Sequence, residues 1–150
     1  MRPLLPALLL GGMALSIAHT AQALEYRSVG VPVAILYDGP SLKARKQYLI
    51  RQATPVEVVV QDPNWVKVRD AEGTLAWIEK KSLSDRRTVI VTAPRAEVRA
   101  TAEANAALVF AADKGVALEF QETVANGAWV RVRHDDGASG FVKSAQVWGK

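Results

Sequence analysis

Trp65-Val66-Lys67-Val68-Arg69 occurs twice in this chain, its echo being Trp129-Val130-Arg131-Val132-Arg133. Each copy runs through a polar turn into a second short apolar run. The first continues Asp70-Ala71-Glu72-Gly73 and reaches Trp77-Ile78; the second continues His134-Asp135-Asp136-Gly137 and reaches Phe141-Val142. Alternate residues of a strand share a face, and a Gly near the bend supplies the positive φ of a tight turn. Each copy therefore predicts a β-hairpin. On its first strand Trp65, Lys67 and Arg69 share one face, and Val66 and Val68 share the other.

The residues before each hairpin also correspond. Leu36, Tyr48 and Val58 are matched by Val98, Phe110 and Phe120, each 62 residues further on. From the tryptophans onward the offset is 64 (65 and 129, 77 and 141). The two extra residues fall in the turn at 123–128, where an insertion costs least. A constant offset broken only at a turn marks a tandem repeat of about 60 residues per unit.

One stretch opposes this reading locally. Residues 96–112 hold eight alanines in seventeen, which by propensity alone is a helix. The matching stretch of the first unit contains Gly39-Pro40, which a continuous helix does not tolerate. The repeat therefore overrides propensity, leaving at most a short helical turn around 104–109. A unit this small buries roughly 60% of its unfolded surface, and a barrel leaves few exposed edges. The expected architecture is all-β: two tandem small barrels, at 24–84 and 88–150, docked across the linker Ser84-Asp85-Arg86-Arg87.

The first 23 residues are expected to lie outside this fold. Arg2 is the only charged residue before Glu25, an apolar run spans 4–17, and Ala21-Gln22-Ala23 is an A-x-A site. These are the parts of a secretory signal peptide cleaved after Ala23. The run is short for a membrane span of roughly 20 residues. The chain has no cysteine, so neither lipid attachment nor disulfides enter. The expected location is periplasmic or secreted, with no membrane span once the leader is removed. Without Arg2, 18 Lys and Arg face 15 Asp and Glu. That mild balance makes nucleic acid a poor partner for an exported protein.

The repeat resembles the bacterial SH3 (SH3b) family. The second unit carries Ala96-x-Val98-Arg99, Gly115, Trp129-x-x-Val132 and Gly137-x-x-Gly140-Phe141-Val142. The first carries Leu36, Trp65-x-x-Val68 and Gly73-x-x-Ala76-Trp77-Ile78. Tyr37 stands where the pattern has Arg, and Ala76 where it has its second Gly. The resemblance covers about residues 27–148. It implies two SH3-like barrels without an active site of their own, serving as targeting or interaction modules. Such modules often accompany cell-wall hydrolases and bind peptidoglycan peptides or protein partners.

The residues themselves offer little for catalysis. His134 is the only histidine after the leader and sits in a predicted turn, which a Ser-His-Asp or Cys-His site does not favour. A zinc site needs more His or Cys than the chain has. The expectation is a protein that is not an enzyme, with no cofactor and no metal.

Binding is read instead from aromatic residues and one basic loop. Trp77 and Phe141 are expected in the barrel cores. Trp65 and Trp129 follow a turn and start a strand, and the sequence leaves open whether they line a groove or the core. Tyr37 and Tyr48 flank a loop carrying Lys43, Arg45 and Lys46, which has no basic counterpart in the second unit. The candidate groove comprises Tyr37, Tyr48, Trp65, Lys43, Arg45, Lys46 and Trp129, with the first unit more important. Trp148 either plugs a barrel end or makes an exposed contact. Two functions fit: recognition of cell-wall (peptidoglycan) peptides, whose carboxylates suit Lys and Arg beside aromatic walls, or a protein–protein scaffold role in an envelope assembly.

Overall fold

A computed structural model describes residues 23–150; the leader expected at 1–23 lies outside these but for Ala23. The first unit contains β1 (Glu25–Val29), β2 (Val33–Tyr37), β3 (Lys46–Arg51), β4 (Pro55–Gln61), β5 (Trp65–Arg69), β6 (Leu75–Glu79) and β7 (Leu83–Ser84). The second contains β8 (Thr88–Val91), β9 (Arg95–Arg99), β10 (Leu108–Asp113), β11 (Ala117–Val124), β12 (Trp129–Arg133), β13 (Ser139–Lys143) and β14 (Val147–Trp148). Each set forms one antiparallel seven-stranded sheet. The orders are β3-β2-β6-β5-β4-β1-β7 and β10-β9-β13-β12-β11-β8-β14, the same topology twice.

The irregularities repeat as well as the strands. Between β2 and β3 the register skips Gln47, and between β9 and β10 it skips Val109. Between β4 and β5 it skips Val59, and between β11 and β12 it skips Gln121. Both pairs of bulges keep the 62-residue offset. A bulge bends and twists its strand, so equal bulges roll both sheets the same way. The alanine-rich stretch forms β9, a turn region and β10 rather than a helix. Propensity yields because Ala96, Val98 and Ala112 fill inward places in the second core.

Strand alternation builds each core. Leu36, Val56, Val66, Val68 and Ile78 are buried in the first, and Val98, Leu118, Val130, Val132 and Val142 hold the matching places in the second. The hairpin bends use Gly73 (φ 89°) and Gly137 (φ 93°), a region a side chain rarely adopts. Asp70 reinforces the first bend: its Oδ1 accepts the backbone N–H of Glu72 at 3.1 Å and of Thr74 at 2.8 Å.

The units dock through the linker. The Ser28 hydroxyl donates to the Arg86 carbonyl at 2.5 Å, and the Thr88 hydroxyl donates to the Ala53 carbonyl at 2.7 Å. The Arg87 guanidinium lies 5.5 Å from the Tyr26 ring centre and 4.8 Å from that of Phe120, and donates to the Gly149 carbonyl at 3.1 Å. Trp148 meets Tyr26 edge-on at 5.2 Å. Trp148 is thus a junction residue, reaching from the second unit onto the first.

Candidate ligand-binding face

The inward valines determine what faces out. With Val66, Val68, Ala76 and Ile78 in the core, β5 presents Trp65, Lys67 and Arg69 outward, and β6 presents Leu75, Trp77 and Glu79. Across the hairpin Trp65 pairs with Glu79, Lys67 with Trp77, and Arg69 with Leu75. Tyr37, at the end of β2, pairs with Trp77. Its ring meets that of Trp65 edge-on, 5.3 Å apart at 89°. Such a pair contributes about 0.5–1.5 kcal/mol beyond its buried area. Tyr37 is buried, while Trp65 and Trp77 are only partly buried.

The core expectation for Trp77 and Phe141 is corrected here. Both lie on the outer face, because their neighbours Ala76 and Ile78, or Gly140 and Val142, take the inward positions. A large aromatic side chain does not override the two-residue period of its strand. The alternation that places Val66 and Val68 inward could have found this once the hairpin register was worked through.

Cations surround the aromatic wall. Lys46 pairs with Tyr37 in the β2–β3 register, and Lys67 lies across from Trp77. Lys81 reaches Glu79 at 2.8 Å. That hydrogen bond, with the Glu79 charge, raises the Lys81 ammonium above the ordinary lysine range. Lys67 lies on the Trp65 face by strand alternation alone, whereas nothing in a linear reading brings Lys81 beside the wall.

The basic loop is more ordered than a charge run suggests. Asp38 closes it, accepting the Arg45 backbone N–H at 2.9 Å and the Arg45 Nε–H at 3.2 Å. Arg45 is therefore occupied. Lys43 and Lys46 are exposed and make no ion pair among the described residues.

Two other candidates take different places. Tyr48 packs against the first core, and its hydroxyl donates to Asp70 Oδ2 at 2.7 Å. Burial first, then that hydrogen bond and the Asp70 charge, push its phenol well above the usual tyrosine range. Tyr48 thus braces the hairpin turn. Trp129 sits at the Trp65 position of the second unit, 8% exposed and opposite Lys143. Its unit has Arg99 where the first has Tyr37; Arg99 engages Glu97 and the Ala106 carbonyl.

The bacterial SH3 domain family matches this sequence at residues 21–85 and again at 92–149, so the chain belongs to that family, in two copies. No curated protein matches it. Among solved structures it is similar to NlpC2 and NlpC1 from Trichomonas vaginalis. Identities are 14% and 16%, coverage is 87% and 94% of this chain and 50% and 51% of those chains, and both TM-scores are 0.39. An NlpC/P60 family protein from Bacillus cereus is 15% identical over 83% of this chain and 56% of its own, with a TM-score of 0.37. The chain spans about half the length of these proteins.

Proposed function

We propose that the protein is an exported, non-catalytic binding protein that recognises cell-wall peptides with the outer face of its first unit. The carrying observation is the Tyr37–Trp65 pair beside Trp77, flanked by Lys46, Lys67 and Lys81. Aromatic rings offer area to the apolar part of a ligand at little entropic cost, and the ammonium groups meet its carboxylates. Family membership supports the reading, since bacterial SH3 domains suggest binding to the cell wall. Catalysis is left out because His134, the one histidine after the leader, sits in a hairpin turn, its carbonyl accepting the Gly137 N–H at 2.9 Å. Export follows from the A-x-A site after an apolar run. Among the described residues no helix is long and apolar enough to cross a membrane.

The scaffold reading has its own observation. β3 is an edge strand, and near it Val33, Leu42 and Leu49 are each more than half exposed. Apolar residues on an edge suit a protein partner.

Co-sedimentation with purified sacculi, beside pull-down from envelope extract, separates the two. On the first reading the protein pellets with sacculi, binding weakens as salt rises, and replacing Lys43, Arg45 and Lys46 together with Ser weakens it while the fold survives. Wild-type affinity of the triple variant at low salt sinks the role of the loop. Absence of sacculus binding, with a protein recovered from extract, turns the choice to the scaffold.

A further inference from the structure

A groove crosses the junction between the two units. One end is a cavity of about 740 Å³ whose lining includes Ser28, Gln52, Ala53, Ser84, Arg86 and Asp135. The other end, about 300 Å³, shares Gln52, Ala53, Arg86 and Asp135 and adds Arg51 and Glu119. These volumes suit a small ligand, and sites of this kind favour boundaries between units.

Arg86 is held in place at the centre. Its carbonyl accepts the Ser28 hydroxyl at 2.5 Å, its backbone N–H donates to Ser84 Oγ at 3.1 Å, and its Nη2 donates to Glu119 Oε2 at 2.7 Å. The Arg86 hydrogen bond is the main cause that lowers the Glu119 carboxyl below its ordinary range, so the anchor stays ionised. The other acidic neighbour is loose: Asp135 stands 3.6 Å from Nη2 with its side chain 87% exposed. A guanidinium has five N–H donors in a fixed fork, and one carboxylate does not use them all. The result is an oriented cation with spare donors beside a weakly held anion. Arg51, exposed and without an ion pair among the described residues, adds a second cation.

The lining carries both signs, Arg51 and Arg86 against Glu119 and Asp135. A polyanion would meet more repulsion here than a ligand with one carboxylate and neutral amides. We propose that this groove binds the carboxylate end of a short peptide, the ligand carboxylate displacing Asp135 from Arg86. The site is separate from the aromatic face of the first unit and does not depend on it.

The test is an NMR titration of the protein with acetyl-Ala-Ala bearing a free carboxylate, with its C-terminal amide as control. The acid form should shift the backbone amides of Gln52, Ala53, Arg86 and Gly115, and the amide form should not. Asp135→Asn removes the competitor and should tighten binding about two- to fivefold. Arg86→Gln should weaken it about tenfold or more. Arg51→Gln, a change at an exposed position that leaves the fold alone, should weaken it by a smaller factor. No shift at all, equal shifts from both forms, or unchanged affinity in Asp135→Asn each overturns the proposal. Shifts confined to Trp65 and Trp77 also overturn it, while supporting the aromatic face.

Discussion

The two units share an inside and differ on the outside. Val66, Val68 and Ile78 correspond to Val130, Val132 and Val142, all buried to the same degree. On the outer face Tyr37 becomes Arg99, Trp77 becomes Phe141, Glu79 becomes Lys143, and the exposed Lys81 becomes Ala145. At the hairpin bend the Tyr48–Asp70 hydrogen bond is replaced by Phe110 against His134, rings 5.7 Å apart. A core tolerates only residues of the right volume and polarity, so the repeat persists there. The outer face has no such constraint and can specialise, and the first unit is the one that gathers an aromatic cluster.

The largest expected effect that sharpens this contrast comes from the paired tryptophans. Trp129→Ala should cost about 3–5 kcal/mol, because the ring is nearly buried. Trp65→Ala should cost less stability but remove most binding to sacculi, because its partly buried ring forms the wall with Tyr37. Melting and co-sedimentation of both variants check this, and equal behaviour in the two assays would break the comparison.

Next comes the place where the cores diverge. A Cβ on Gly140 would stand 2.5 Å from the Arg99 carbonyl oxygen and 2.8 Å from Val98 Cγ1. The first unit carries Ala76 there. Gly140→Ala should therefore destabilise by about 1–3 kcal/mol through overpacking, although it restores the residue of the other unit. Denaturant unfolding measures it; a neutral result means that β9 and β13 can move apart enough to admit the methyl group.

A smaller effect tests whether the units act as one body. Arg87 lies between Tyr26 of one and Phe120 of the other, and such a partly buried cation contributes about 1–2 kcal/mol. Arg87→Ala should split a single unfolding transition into two in calorimetry.

The smallest concerns pH. All three tyrosines lie in the first unit, at 26, 37 and 48. The Tyr48 phenol is raised by burial and by Asp70, and that of Tyr26 by burial and by the Glu57 charge. A raised folded value means stability that is complete below the unfolded value near 10 and is lost as pH rises past it. Hydrogen exchange above pH 10 should therefore loosen the first unit before the second. Tyr48→Phe should cost about 1 kcal/mol at neutral pH and reduce that alkaline loss.

Local pattern determined the hairpins, the two-fold repeat and the inward valines, because a two-residue period and a turn glycine act over a few residues. The repeat also overruled the helical propensity of 96–112. Part of the candidate face was legible too: Tyr37 and Trp65 come together as a wall. Trp77 belongs with the legible part, since the alternation that buries Ala76 and Ile78 turns it outward. Tertiary structure alone decided the rest. Tyr48 was taken up by Asp70 and Arg45 by Asp38, partners that a charge count does not reveal. Lys81 joined the wall, and Arg86, Arg87 and Trp148 became the junction, only when strands distant in sequence were brought side by side. Those contacts depend on how two rolled sheets meet, and no short stretch of the chain encodes that alone.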